Sequence, residues 1–199
     1  MTTIDRAQRV PAPGQADAWR TRDILVAAVI GVVFGVVFWA WNLVWSAIAP
    51  ASLAIPPIHA FLIYGVWLVP AVLAPLIVRK PGAAVFAEMV AAGVSALMGS
   101  PWGPDLLLSG FVQGAAAELV FAMTLYRRWT LPVVALAAVA SAAAAWVHDW
   151  VLYYPDADFT LQAIRGVLMA VSAIVIVAGG SWALYRSLRR SGVLEGFAG

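Results

Sequence analysis

The chain has 199 residues, of which 63% are hydrophobic and only 11% charged, with 12 Lys and Arg against 10 Asp and Glu. A soluble domain carries about a quarter of its residues as charges, so this composition excludes a water-covered globule and points to a bilayer as the solvent. At roughly 20 apolar residues per helical span, the length allows six or seven spans and no second soluble domain. The absence of cysteine excludes disulfides, thiolate catalysis and Cys-type zinc or iron–sulfur sites.

In chain order, residues 1–20 read as a polar, disordered cytoplasmic tail with no secretory signal, since no apolar core precedes Ile24. Six apolar stretches follow, at about 24–48, 58–78, 82–99, 106–126, 131–153 and 160–185, and residues 191–199 form a second cytoplasmic tail. Proline, glycine and arginine breakers separate them, including Pro56-Pro57, Arg79-Lys80-Pro81-Gly82, Arg127-Arg128 and Pro155-Asp156. Pro70 and Pro75 fall inside the second stretch, which is therefore expected to be kinked or partly unwound. The runs are continuously apolar rather than alternating, so they are helices and not barrel strands. The fold class is an all-α integral membrane protein of six transmembrane helices spanning residues 21–190.

Cations give an orientation. With the N-terminus in the cytoplasm, 11 of the 12 Lys and Arg fall on the inner side, and the remaining one, Arg165, lies within the last span. Positive residues resist translocation, so both termini are expected to be cytoplasmic, in the plasma membrane of a prokaryote.

Several functions are excluded by missing motifs. There is no G-x-x-x-x-G-K-[ST] loop for ATP and no H-E-x-x-H, and two histidines, His59 and His148, are too few for a metal cage. No cofactor is called for. The basic residues are scattered juxtamembrane pairs, not a nucleic-acid patch. An intramembrane hydrolase built on Ser109 or on Glu118 with His148 is a remote reading.

Ionisable residues within spans are expensive and tend to face a bundle interior or cavity. Glu88, Glu118, Asp149 and Arg165 stand out, with Gln113, Asn42 and His148 as neutral companions. One arginine can pair with one acid, which leaves an excess of buried carboxylate that a cationic or hydrogen-bond-donating ligand would relieve. Trp146, Asp149, Trp150 and Tyr153 share one helix face and frame a carboxylate with three rings. Tyr64 and Trp67 form a second pair, and Trp102 lies in the loop after the third span. Rings around a carboxylate suit a flat heteroaromatic or a cation. The competing reading is a structural or assembly protein whose acids pair only internally. Ala27, Gly31 and Gly35 form a small-residue stripe along the first span, repeated by Gly110 and Gly114 in the fourth; such stripes let another helix approach closely.

Tyr64-Gly65-Val66-Trp67, Arg79-Lys80-Pro81-Gly82-Ala83-Ala84, Glu88, Gly99-Ser100-Pro101-Trp102-Gly103-Pro104 and Gln113-Gly114-Ala115-Ala116-Ala117-Glu118 together resemble the substrate-binding S components of energy-coupling factor (ECF) vitamin transporters. The likeness is to the YkoE-type branch, associated with thiamine and its hydroxymethylpyrimidine precursor. It covers nearly the whole chain beyond residue 20. The resemblance implies a vitamin-binding subunit, not an enzyme, that works with a transmembrane coupling subunit and two ATPase subunits. It places Ala27, Gly31 and Gly35 at the coupling-subunit contact. Tyr64, Trp67, Glu88, Trp102, Gln113, Glu118, Trp146 and Asp149 are the expected substrate-binding residues, with the acids taking the cation or exocyclic amine and the rings stacking.

Overall fold

The structure, a computed structural model, describes residues 18–49 and 58–194. The tail expected over 1–20 lies outside the described residues as far as residue 17, and residues 195–199 lie outside them too. Among the described residues there are helices and no strands. The order is α1 (Thr21–Ile48), a 3-10 segment (Ile58–Leu68) running into α2 (Val69–Val78), α3 (Ala83–Leu97), α4 (Asp105–Met123), α5 (Leu131–Tyr153), and α6 (Phe159–Ser172), which continues through a π-helical stretch (Ala173–Gly179) into α7 (Gly180–Arg190). Five of these units are long and apolar enough to cross a membrane, namely Thr21–Ile48, His59–Val78, Asp105–Met123, Leu131–Tyr153 and Phe159–Arg190. The sixth, α3, has 15 residues. At 1.5 Å per residue it is about 22 Å long, short of the roughly 30 Å hydrocarbon core.

Side-chain size explains how α3 fits. Its inward positions Ala83, Ala84, Ala87, Ala91 and Ala92 are small and buried, so larger neighbours can press against its backbone. On one side α1 does so with Ala27, Gly31 and Gly35, all buried. A Cβ on Gly31 would stand 2.7 Å from Val90 Cβ and 2.9 Å from the Ala87 carbonyl, and one on Gly35 would stand 2.5 Å from Val94 Cβ. On the other side α4 uses its own pair: a Cβ on Gly110 would lie 2.9 Å from Ala92, and one on Gly114 2.9 Å from the Val85 Cα. The two stripes clasp α3 between them. The face carrying Ala27, Gly31 and Gly35, expected at the coupling-subunit contact, is packed against α3 inside the bundle. The face of α1 turned outward carries Leu25, Val29, Val33 and Leu43.

Every residue of α2 is buried, which makes it the central helix. The chain enters it as a 3-10 turn because the stretch before Pro70 obtains hydrogen bonds from elsewhere. Ser172 Oγ accepts from Gly65 N at 2.8 Å and donates to the Leu62 carbonyl at 2.7 Å. Trp41 Nε1 donates to the Ile63 carbonyl at 3.2 Å. Only glycine fits at residue 65, where a Cβ would meet the Ser172 carbonyl at 2.9 Å. The partial unwinding expected from the prolines is present, on the N-terminal side of Pro70.

The two ends of the bundle differ in charge. At one end Trp19 Nε1 donates to the Pro81 carbonyl at 2.9 Å, and Arg79 Nη2 donates to the Tyr185 hydroxyl at 2.7 Å and lies over the Trp129 ring. Arg20, Arg22, Lys80, Arg127, Arg128, Arg189 and Arg190 flank helix termini at this same end. Among the described cations only Arg165 stands apart; it is wholly buried.

Candidate functional site

A cavity of about 620 Å³, including its open mouth, lies toward the cation-poor end and is lined by parts of α1, the 3-10 segment, α3, α4 and α5. That size is in the range of small-ligand sites. Six of the eight expected binding residues line it: Tyr64, Trp67, Glu88, Trp102, Gln113 and Asp149.

Glu88 forms the deep end. It is fully buried on α3, and its Oε2 accepts from the backbone N–H of Ala71 at 2.9 Å. That donor exists because the first turn of a helix has N–H groups without intrahelical acceptors. The other oxygen, Oε1, has no hydrogen-bond partner. A buried polar atom left without a partner is costly, and this one belongs to a cavity-lining residue. Gln113, one face of α4 away, donates from Nε2 to Ser109 Oγ at 2.6 Å.

Above Glu88 the wall is aromatic. Trp45, Tyr64 and Trp67 contact one another edge to face, with centroids 5.0 Å apart for Trp45–Trp67 and 5.3 Å for Tyr64–Trp67. At the mouth Trp102 is fixed by Nε1 donating to Asn42 Oδ1 at 3.2 Å, while Asn42 Nδ2 donates to Ser100 Oγ at 3.1 Å. Trp102 also meets Tyr153 edge-on at 5.8 Å.

The remaining acids sit near the mouth in a bridged array. His148 places Nδ1 3.1 Å from Asp149 Oδ1 and Nε2 3.1 Å from Asp105 Oδ1. The Tyr153 hydroxyl donates to the other Asp105 oxygen. Behind Asp149, Arg165 Nη2 lies 3.9 Å from Oδ2, its guanidinium is 3.9 Å over the Tyr154 ring and 4.7 Å from the Phe61 ring, and Nη1 donates to Gln162 Oε1. Burial, reinforced by the Asp149 charge and partly offset by Arg165, pushes the Tyr154 phenol up to about 12, so it remains a neutral donor.

Two expected residues lie elsewhere. Glu118 is at the opposite, cation-rich end, where Oε1 accepts from Gly82 N at 2.6 Å and Oε2 from Ala84 N at 2.8 Å, and the Tyr126 hydroxyl also donates to Oε1 at 2.8 Å. It caps the N-terminus of α3, where free N–H groups and the helix dipole favour a carboxylate. Desolvation and the Glu118 contact raise the Tyr126 phenol well above its ordinary value. Trp146 donates from Nε1 to the Gln162 carbonyl at 2.9 Å and packs on Trp150 at 5.0 Å, holding α5 to α6. Glu118 and His148 lie at opposite ends of the bundle, which removes the hydrolase reading built on that pair. Phe38, Trp45, Asp105, Leu106, Ser109 and Tyr154 also line the cavity. Of these, Asp105 carried a sequence signal, a carboxylate at the start of a span and 44 residues before Asp149.

An aromatic and acidic cavity enclosed by membrane-crossing helices defines a membrane-embedded binding subunit. Over residues 22–144 the chain matches the family described as "ABC-type cobalt transport system, permease component". It is 34% identical over 182 residues to the putative HMP/thiamine permease protein YkoE of Bacillus subtilis (strain 168), covering 91% of this chain and 90% of that protein. It also matches a solved crystal structure of an S-component of an ECF transporter, with a TM-score of 0.86 and 34% identity over 91% of each chain. The chain belongs to this permease family as an S component of an ECF transporter, a multi-pass membrane transport subunit and not an enzyme.

Proposed function

We propose that the cavity captures thiamine or its hydroxymethylpyrimidine precursor from outside a prokaryotic plasma membrane, and that a transmembrane coupling subunit and two ATPase subunits complete its import. The cation-rich end is then cytoplasmic, as the positive-inside tendency requires, and the cavity mouth faces out.

One observation carries the reading: Glu88 Oε1 is buried in the cavity without a partner. The aminopyrimidine shared by thiamine and its precursor has an exocyclic amine that donates to a carboxylate and a flat ring that stacks on Trp45, Tyr64 or Trp67. Gln113 is positioned to address a ring nitrogen. With the pyrimidine at the deep end, the thiazolium of thiamine points toward Asp149 and Asp105. The cobalt in the family description fits this chain poorly. Among the described residues no three His, Cys, Asp or Glu side chains converge as a metal cage requires. The relative described as an HMP/thiamine permease supports the organic ligand.

The test is calorimetric titration of the purified protein with thiamine and with hydroxymethylpyrimidine. Both should bind. A hydrogen bond to a charged group is worth about 1.5–3 kcal/mol, so Glu88→Gln should weaken both by roughly 10- to 150-fold while its remaining carbonyl still accepts from Ala71 N. Failure of the wild-type protein to bind either compound would refute the assignment.

A further inference from the structure

We propose that the cavity admits the unphosphorylated vitamin and rejects its phosphate esters, because its polar lining is acidic and none of the described lining residues is cationic. This inference rests on the ligand proposed above and adds its charge state.

Three carboxylates line the cavity, those of Glu88, Asp105 and Asp149, and among the described residues the lining contains no Lys, Arg or His. The three acids are not equivalent. Asp105 is held by His148 and Tyr153, and Asp149 by His148 with Arg165 behind it. Both His148 nitrogens face carboxylate oxygens, so the ring satisfies both only when it carries two protons and donates from each. Arg165 and His148 thus offset the two acids from behind the cavity wall. Among the described residues no salt bridge reaches Glu88, and its Oε1 has no hydrogen-bond partner. The site offers an unpartnered carboxyl oxygen at its deep end and presents carboxylate oxygens at its mouth.

A phosphate binder is built the other way, with Arg or Lys forks, backbone N–H nests or a helix N-terminus aimed at the anion. The Asp105 carboxylate occupies the first turn of α4, the position where such an anion would be received. In the orientation with the pyrimidine on Glu88, the hydroxyethyl arm of thiamine reaches the mouth beside Asp105 and Asp149. A phosphate on that arm would meet the Asp105 and Asp149 carboxylate oxygens first, with His148 and Arg165 set behind them, in a partly desolvated setting where repulsion is screened less than in water. The cavity thus discriminates by charge as well as shape, and a phosphorylated vitamin must lose its phosphate through a separate hydrolytic reaction before capture.

The experiment titrates the full-length protein in detergent with thiamine and thiamine monophosphate at low and moderate salt. Thiamine should bind at least 100-fold more tightly, with the ratio shrinking as salt rises. Asp105→Asn, at the partly exposed mouth, should narrow the ratio at least fivefold by improving monophosphate binding, while thermal unfolding shows that the variant remains folded. Equal affinities for thiamine and its monophosphate would overturn the charge filter and leave the thiamine assignment standing. An unchanged ratio in a folded Asp105→Asn protein would likewise count against it. Absence of binding by thiamine and by hydroxymethylpyrimidine alike would instead remove the vitamin reading, and this inference with it.

Discussion

Gly31 and Val90 are so close that a Cβ on the glycine would stand 2.7 Å from the valine Cβ. Between them α1 and α3 leave no room for a side chain, and the Ala87 carbonyl, 2.9 Å from the same point, cannot rotate away. Overpacking a tight contact costs about 1–3 kcal/mol, so Gly31→Leu should lower the unfolding temperature and reduce the yield of folded protein. Val29→Leu, on the outward face of the same helix, should change neither. A folded Gly31→Leu protein that binds ligand but fails to assemble with its transporter would return the stripe to a docking role.

Glu118 should behave as a capping residue. Glu118→Ala removes the acceptor for Gly82 N, Ala84 N and the Tyr126 hydroxyl. With hydrogen bonds to a charged group worth about 1.5–3 kcal/mol, a clear drop in thermal stability is expected, and Glu118→Gln should lose less. Ligand affinity of the folded fraction should remain at the wild-type value in both. Calorimetry alongside thermal unfolding separates the two quantities, and a tenfold loss of affinity in a stable variant would place Glu118 in the site after all.

The contrast between Glu88 and Glu118 shows what the sequence could and could not disclose. Both are lone carboxylates in apolar helices, and both satisfy unpaired backbone N–H groups at the start of a neighbouring helix. Periodicity placed each in a span within a few residues, because breaker clusters such as Arg79–Gly82 end helices wherever they occur. It could not tell that Glu118 spends both oxygens on α3 whereas Glu88 spends one on α2 and keeps the other for the cavity. That depends on which helix ends lie opposite, a tertiary fact. The Ala27–Gly31–Gly35 stripe was legible as a site of close approach, and its partner was not, since an alanine-rich helix of the same chain and a foreign helix make the same demand. Trp146, Asp149, Trp150 and Tyr153 do share a face, but that face is wide enough for Asp149 and Tyr153 to reach the cavity while Trp146 turns to α6.

Orientation is open to a direct measurement. A cysteine at Ala157, in the turn between α5 and α6 at the cavity end, should react with a membrane-impermeant maleimide on intact cells. One at Ser191, just beyond Arg189 and Arg190, should react only after permeabilisation. The chain has no native cysteine, so the background is clean. The reverse pattern would place the cavity mouth in the cytoplasm.

Among the described residues Arg165 is the one cation sealed inside the bundle, between the Tyr154 and Phe61 rings and 3.9 Å from Asp149. Its planar guanidinium stacks on a ring, reaches Gln162 and offsets Asp149 at once; an ammonium cannot do all three. Removing one member of a buried ion pair costs about 3–5 kcal/mol because the other charge is left uncompensated. Arg165→Met should therefore be severely destabilising, and Arg165→Lys should recover only part of the loss. Asp149→Asn leaves Arg165 without its carboxylate but still stacked and bonded to Gln162, so a smaller loss is expected. Combining Arg165→Met with Asp149→Asn should be less damaging than the two single losses added together, since neither partner then remains charged and alone. Thermal unfolding of the four proteins in one detergent gives the coupling. Strict additivity would show that the 3.9 Å approach contributes nothing and that the arginine is held by the rings and Gln162 alone.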